Sequence, residues 1–349
     1  MSSGTGLVVE VTRGDLVESV HHVAACAVDA HGAILYSAGE IESPVYLRSS
    51  AKPFIAAAVL ESGAGDRFGF EPREIAVMVG SHYGEPFHLD AVRSILRKIG
   101  MDVSALQCGV HWPYDEAAAN ALRSAGESPT ALHNNCSGKH AGILALCKMI
   151  RADTTTYLRP DNPAQRRILQ FCARISDDDA EVWPLGTDGC GIPAYATSLR
   201  RAARSFARLA SLADVGDADA AALRTVRDAM IACPQYVAGT GQLDTELMIV
   251  GAGTIAAKAG AEGVHGIAVI SQGCGYVSKV LDGSARGRGP ASIAVLQALG
   301  ALDDRQAERL ARFGAPEVYN RAGNAVGQVR VPVLSLSKGI VEKTSRSIV

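Results

Sequence analysis

The apolar positions near the start of the chain follow the pattern of β-strands. Residues 20–40, VHHVAACAVDAHGAILYSAGE, contain two runs rich in valine, alanine and isoleucine that are separated by DAHG. Asp and Gly favour tight turns, so this segment predicts a β-hairpin. Residues 246–287 are rich in Gly and β-branched side chains and contain LDGS, which predicts further strands and a second hairpin turn.

Between these segments, apolar side chains recur every three to four residues, which is the spacing of amphipathic helices. We expect a buried helix after residue 53, a helix from about Phe87 to Ile99, an apolar helix after the polar loop near residue 135, and amphipathic helices at residues 162–175, 197–213 and 218–232. Strands at both ends and helices in the middle predict an α+β fold in a single domain spanning residues 1–349. Its mainly antiparallel sheet is expected from about residues 7–50 and 245–335, and its helical region from about residues 51–240.

Composition agrees with an ordinary globular protein, because 48% of the residues are apolar and 20% are charged. The formal net charge of -2, with no run of Lys or Arg, argues against a nucleic-acid or anionic-membrane partner and favours a small molecule. The N-terminus shows no secretion leader and no segment is long enough to span a membrane, so we expect a cytoplasmic protein. The eight cysteines are then expected as thiols rather than disulfides.

The segment RSSAKP, residues 48–53, places a serine and a lysine three positions apart. On a helix, Ser49 and Lys52 share one face, and a neutral lysine amine can accept a proton from a serine that attacks a carbonyl group. The same spacing fits a serine that caps a helix beside a solvated lysine. Because SLSK at residues 335–338 has this spacing too, the motif alone does not decide between these interpretations.

Two further polar positions lie next to glycine-containing turns. In GSHYG, residues 80–84, Ser81 and His82 follow an apolar run, where side chains either point into a site or cap a helix. Lys258 lies between an apolar segment and a glycine-containing turn. It is either solvated or a partly buried base for one of the two serines.

Cysteine, lysine and histidine occur together in NCSGKHAG. Cys136, Lys139 and His140 stand at i, i+3 and i+4, which directs them to one side of a helix, and a second turn adds Asp188 and Cys190. Two thiols and an imidazole are a reasonable donor set for Zn²⁺. Three interpretations stay open from these residues alone: a metal site, a cysteine nucleophile with the histidine as its base, or inert cysteines that pack in the core.

Seven segments together resemble the asparaginase II family, in its inducible rhizobial Ser-Lys type. They are RSSAKP, GSHYGEPFH, CGVHWP, LHNNCSGKHAGILAL, DGCGIPAYA, RDAMIACPQYVAGTGQLDTELM and KAGAEGVHGIAV. The resemblance extends over about residues 20–285, which is most of the chain. The combination of NCSGKHAG with DGCG is specific, whereas Ser-x-x-Lys alone is not.

The resemblance implies a fold similar to that of serine β-lactamases, penicillin-binding proteins and Ser-Lys glutaminases. The terminal strands and central helices predicted above are compatible with such a fold. The resemblance also implies two catalytic serine–lysine pairs, Ser49 with Lys52 and Ser81 with Lys258.

A zinc site close to the substrate is also implied by the resemblance, made by Cys136, Lys139 and Cys190, where Zn²⁺ modulates substrate binding rather than being strictly required. The residues implied in substrate binding are Arg48, His82, His140, Asp188 and Gly189. The family further suggests a homodimer. Two departures from its pattern, Gln242 for a basic residue and Asn162 for a histidine, concern substrate affinity more than reaction type.

The predicted function is hydrolysis of L-asparagine to L-aspartate and ammonia, by acyl transfer through a serine that a lysine activates. The first alternative is another acyl-transfer hydrolase on the same scaffold, either a glutaminase or a penicillin-recognising peptidase, the latter disfavoured by the lack of a secretion leader. From another class, a non-catalytic protein stabilised by structural zinc has the same cysteine pattern.

Overall fold

The computed structural model describes residues 6–337. Its strands are β1 (Leu7–Arg13), β2 (Leu16–Val28), β3 (Ile34–Ala38), β4 (Pro44–Tyr46), β5 (Leu185–Thr187), β6 (Pro193–Ser198), β7 (Ile255–Gly260), β8 (Val264–Val269), β9 (Cys274–Val280), β10 (Glu317–Tyr319) and β11 (Ala325–Arg330). Eight of them form one antiparallel sheet in the order β10-β11-β1-β2-β9-β8-β7, with β3 also paired to β2. The predicted sheet from both ends of the chain is therefore confirmed.

Strand β2 is the centre of this sheet because it pairs with three others. Its first part pairs with β1, and its last part pairs with β3 on one edge and β9 on the other. The predicted hairpin is confirmed in β2 and β3. Its turn is stabilised by Asp29, whose Oδ1 accepts the N–H groups of His31 and Ala33, and by Gly32 with a φ of +84°.

Two predictions about the second half of the chain are wrong. LDGS does not join two strands, since residues 281–284 connect β9 to a helical segment that begins at residue 285. The consecutive antiparallel strands of this region are joined instead at residues 261–263, between β7 and β8, and at residues 270–273, between β8 and β9. Residues 243–251, where the sheet was expected to begin, form a helix, because a short apolar run does not by itself distinguish a buried strand from a buried helix.

The helices are α1 (Lys52–Glu61), α2 (Ala64–Phe68), α3 (Pro72–Val79), α4 (Pro86–Lys98), α5 (Glu116–Ser124), α6 (Ser137–Ile150), α7 (Pro163–Ser176), α8 (Leu199–Ser211), α9 (Asp217–Ala232), α10 (Pro234–Val237), α11 (Leu243–Gly251), α12 (Arg288–Ala298), α13 (Asp304–Arg309), α14 (Ala311–Gly314) and α15 (Val333–Ser337). The six helices expected from periodicity are all present. Between residues 6 and 337, no helix is both long enough and apolar enough to cross a membrane. Lys338, the lysine of SLSK, lies outside the described residues.

Apolar side chains cover both faces of the large sheet. On one face, α8 packs across β2, β8 and β9, and the core continues into α1, α3, α6 and α9. On the other face, α11 and α12 enclose a second core. A small sheet, in the order β4-β6-β5, was not predicted; β5 and β6 lie within the helical region of the chain, and β4 lies just before it. Because β7 is at the edge of the large sheet, the 3₁₀ turn at residues 48–51 can pack against it at the start of α1.

The contact between α8 and the sheet depends on glycine. A Cβ atom on Gly275 of β9 would overlap the backbone of α8 at Ala203 and Ala207. We therefore expect Gly275→Ala to lower the free energy of unfolding by about 2 kcal/mol or more, measured by urea denaturation. Gly216→Ala is the matched control, because a Cβ atom there meets nothing within 4 Å; equal stability of the two variants would contradict this packing.

Candidate active site

The Ser-x-x-Lys segment forms the entry to α1. Residues 48–51 make a 3₁₀ turn, and α1 continues from Lys52, with Pro53 in its first turn, where no backbone donor is lost. Ser49 is half-buried and lines a pocket, whereas Ser50 is fully buried and its Oγ donates a hydrogen bond to Leu47 O. The structure therefore separates the two adjacent serines, and only Ser49 of the two lines the pocket.

The Lys52 amine is buried, and its partner is not the one predicted. Lys52 Nζ donates hydrogen bonds to Ser81 Oγ at 3.0 Å and to Gly80 O at 2.5 Å. Among the described residues, no hydrogen bond joins Lys52 to Ser49. Burial lowers the pKa of Lys52, which favours the neutral amine.

Glycine allows three backbone segments to meet beside Lys52. A Cβ atom on Gly138, in α6, would overlap Val77 O at the end of α3. A Cβ atom on Gly80 would lie 2.7 Å from Tyr236 O and 2.9 Å from Val77 O. These two glycines bring the start of α6, the end of α3 and α10 close together, so Ser81 and Cys136 lie near the same lysine.

A pocket of about 430 Å³ contains both candidate serines and the second candidate lysine. Its polar lining residues include Ser49, Ser81, Tyr83, Tyr114, Asn135, Gln242, Asp244, Lys258, Arg286, Arg288 and Arg312. Ser49, Ser81 and Lys258 therefore line one pocket, as the resemblance implied. Lys52, however, forms its hydrogen bond with Ser81 and not with Ser49.

Lys258 belongs to a buried polar chain that sequence reasoning missed. Lys258 Nζ lies 3.6 Å from Asp244 Oδ2, Asp244 Oδ1 lies 3.1 Å from His265 Nε2, and His265 Nδ1 lies 2.9 Å from Ser292 Oγ. Burial lowers the pKa of Lys258 to about 8, even though Asp244 opposes this shift. The only sequence signal was that Asp244 and His265 fall inside the family-like segments.

The thiols of Cys136, at the start of α6, and Cys190, in the turn between β5 and β6, lie beside another buried lysine. Lys139 Nζ donates to Cys190 Sγ at 2.9 Å, and Cys136, Lys139 and Cys190 are all at least 94% buried. A hydrogen bond with Cys190, together with the charges of Lys139 and Lys52, holds the pKa of Cys136 well below its usual value. Burial disfavours the Lys139 cation, but the two cysteines outweigh this and raise its pKa. Of the two thiols, Cys136 is therefore the one whose anion the surroundings favour.

The donor set of this cluster fits Zn²⁺ in its chemistry. The two cysteine sulfurs are soft ligands, the surroundings favour the anion of Cys136, and the Lys139 amine becomes a third donor when it loses its proton on metal binding. Within residues 6–337, no group of three or more His, Cys, Asp and Glu side chains is arranged for a metal ion. The lysine is therefore the donor that a three-ligand site at this place requires.

The residues implied in substrate binding divide into two groups. Arg48 and Asp188 form a charged hydrogen bond, with Arg48 Nε and Nη2 donating to Asp188 Oδ1 at 3.0 and 2.9 Å, and Gly189 N–H donates to the same oxygen. This contact links the turn that holds Ser49 to the turn that holds Cys190. It also supports the left-handed backbone of Arg48, whose φ is +51°.

His82 and His140 are buried behind the site rather than in the lining of the pocket. His82 Nε2 forms a hydrogen bond with Ser137 Oγ at 2.8 Å, and His140 Nδ1 forms one with Tyr157 Oη at 2.8 Å. Burial holds the pKa of both imidazoles well below the usual value, so both rings are neutral. Direct substrate contact by these histidines stays a prediction.

The family model described as L-asparaginase II matches residues 9–331. The chain belongs to the L-asparaginase II family. The buried lysine, the two serines and the pocket described above are the parts that an amidohydrolase of the acyl-transfer type requires.

Solved structures with detectable similarity are distant in sequence. The native form of Mglu in 4.3M NaCl is 14% identical with a TM-score of 0.37, over 81% of this chain and 62% of that chain. The tris and glutamate form of Mglu is 14% identical with a TM-score of 0.37, over 80% of this chain and 59% of that chain. This chain thus spans about three fifths of the length of these structures. No curated protein matched the chain.

The ion pair between Asp244 and Lys258 sets the protonation of the second lysine. We expect Asp244→Asn to lower the pKa of Lys258 below about 8, because the carboxylate that favours the cation is lost. Titration of the lysine side-chain nitrogens by heteronuclear NMR measures this directly.

Glu246→Gln is the matched control for this titration, because Glu246 is on the same helix but is paired with Arg312. Its Lys258 midpoint should equal that of the unmodified protein. An unchanged midpoint in Asp244→Asn would show that the carboxylate does not act on Lys258.

Proposed function

We propose that this protein hydrolyses the side-chain amide of L-asparagine to L-aspartate and ammonia. The observation that carries the proposal is the buried Lys52 amine, which is bonded to Ser81, lies three residues after Ser49, and adjoins the pocket that contains Lys258. An acyl-transfer reaction needs a nucleophile, a base for its proton and a proton source for the leaving nitrogen. This group of side chains supplies all three.

In the proposed first step, Ser49 Oγ attacks the amide carbon and its proton passes to the neutral Lys52 amine. The carbon–nitrogen bond then breaks, and the nitrogen leaves as ammonia with the proton that Lys52 returns through the Ser81 hydroxyl. Water next attacks the ester on Ser49, loses a proton to the same amine, and releases L-aspartate when Ser49 regains its proton. Over the complete cycle the lysine and the serine return to their starting states.

Two features of the structure support these roles for the serines and lysines. Ser81 Oγ accepts a hydrogen bond from Lys52, which gives a proton path from the buried amine into the pocket. Lys258, with a pKa lowered by burial to about 8, is a second proton carrier in the same pocket. The Ser81 N–H donates to Val237 O, so the Ser49 N–H is the proposed oxyanion donor, a contribution of about 2.7–4 kcal/mol in other enzymes.

Zinc has a supporting role in the proposal. Cys136, Lys139 and Cys190 would hold it, and the thiolate state of Cys136 favours a divalent cation at this place. When bound, Zn²⁺ supplies an open coordination position that can orient the substrate. The homodimer, the single domain and the cytoplasmic location stay predictions from the sequence.

Loss of any catalytic side chain should stop ammonia release. We expect Ser49→Ala, Lys52→Ala and Ser81→Ala each to lower kcat for L-asparagine by about 100-fold or more, because proton transfer or nucleophilic attack is lost. Ser50→Ala is the matched control, since this neighbouring serine bonds only the backbone of its own turn, and it should stay within a few-fold of the unmodified enzyme.

The same assay separates the alternative substrate. A larger kcat/KM for L-glutamine than for L-asparagine would replace the proposed reaction with glutamine hydrolysis. Mass spectrometry of the trapped acyl-enzyme gives the attacking residue, and an adduct on Ser81 rather than Ser49 would reverse their roles.

The zinc site is tested by binding rather than by activity. We expect Cys190→Ser to weaken Zn²⁺ binding by at least about tenfold, because a soft ligand is lost, with isothermal titration calorimetry as the measurement. Cys233→Ser is the control, because this half-buried cysteine lies between α9 and α10, away from the cluster. Equal affinities in the two variants would refute this ligand set, and unfolding on chelation would favour a structural zinc.

A further inference from the structure

One guanidinium group in the pocket has no acidic partner. Arg288 is the first residue of α12, is half-buried, and lines the pocket together with Lys258. Its Nη1 donates one long hydrogen bond, 3.3 Å, to Gly260 O, and its Nε is buried without a partner. No ion pair within residues 6–337 includes Arg288, so no carboxylate of the described chain contacts its guanidinium directly.

The other arginines of the site either form ion pairs with carboxylates or are exposed to solvent. Arg48 is paired with Asp188. Arg312 Nη2 donates to Gly241 O and lies 3.5 Å from Glu246 Oε1. Arg286 is exposed, and its charge reaches Glu18. Arg288 is therefore the pocket cation that is best placed to receive an anionic group from a ligand.

Arg288 is close enough to the groups of the site to change their pKa values. Its positive charge adds to the lowering of the pKa values of Asp244, Lys258 and His265, and it opposes the rise that burial causes in the pKa of Tyr83. These four groups belong to the pocket or to the polar chain behind it. A ligand group bound to Arg288 would therefore lie close to Lys258, within the same pocket as Ser49.

We propose that Arg288 binds the α-carboxylate of the amino-acid amide while the side-chain amide reacts at Ser49; this inference rests on the function proposed above. A guanidinium matches the planar geometry of a carboxylate and forms short, charge-assisted hydrogen bonds with it. The Nε of Arg288 is buried and has no acceptor within the described chain, and a ligand carboxylate would supply one. Arg288 is then the specificity residue that selects amino-acid amides over simple amides.

The test compares two substrates that differ only in the group that Arg288 binds. β-Alaninamide has the amine and the amide of L-asparagine but lacks the α-carboxylate. For Arg288→Gln we expect kcat/KM for L-asparagine to fall by about tenfold or more, mainly through KM, because a charged hydrogen bond is lost. For β-alaninamide the value should change by less than about threefold, so the preference of the enzyme for asparagine shrinks.

The control is Arg305→Gln, which removes an exposed arginine that does not line the pocket and should leave both substrates unaffected. Arg288→Lys keeps the charge and should lose less than Arg288→Gln, which also shows that a loss is not due to misfolding. If β-alaninamide reacts too slowly, its inhibition constant against asparagine replaces kcat/KM and should not change in Arg288→Gln.

Two outcomes would overturn the proposal. Equal losses on the two substrates would show that Arg288 acts through Lys258 and not through the carboxylate, and an unchanged KM for asparagine would show that it binds no part of the substrate. If the unmodified protein releases no ammonia from L-asparagine or L-glutamine, the proposed function fails, independently of Arg288.

Discussion

The site depends on the burial of lysine amines away from solvent. Lys52 and Lys139 are each at least 98% buried, and taking an ammonium ion out of water costs several kcal/mol unless partners compensate. The pKa values of the two amines shift in opposite directions. Lys139 is held as a cation beside the thiols, whereas burial moves Lys52 toward the neutral form. One lysine thus becomes a structural charge and the other a base, although both are buried in the same region.

Sulfur makes this distinction possible. A thiol is neutral in most buried positions, and burial raises the pKa of Cys26, Cys108 and Cys147 to about 12. Cys136 differs because Cys190 and two lysines favour its anion. The negative charge that balances Lys139 therefore comes from a side chain that can also bind a metal ion, and the same atoms would serve the charge balance in both states.

Much of the fold follows from local patterns in the sequence, and the exceptions have identifiable causes. The hairpin of β2 and β3 and the amphipathic helices were predictable because turn residues and periodicity act locally. LDGS was misassigned because its turn chemistry also suits a link from a strand to a helix. Three features of the site depend on packing between distant segments, so no spacing within one segment could indicate them. They are the hydrogen bond from Lys52 to Ser81, the polar chain from Lys258 to His265, and the Arg288 guanidinium without an ion-pair partner.

The pairing of β2 with β9 has a consequence for how the chain folds. Val28 pairs with Gly275, so the centre of the sheet closes only after most of the chain has been synthesised. Contacts between residues so far apart in sequence carry a large loop-closure entropy and slow the search for the native state. Until β9 arrives, the inner edge of β2 has unpaired backbone groups and apolar side chains, which are prone to aggregation. The large sheet that places Lys258 of β7 in the same pocket as Ser49 is therefore complete only when the last third of the chain has been synthesised.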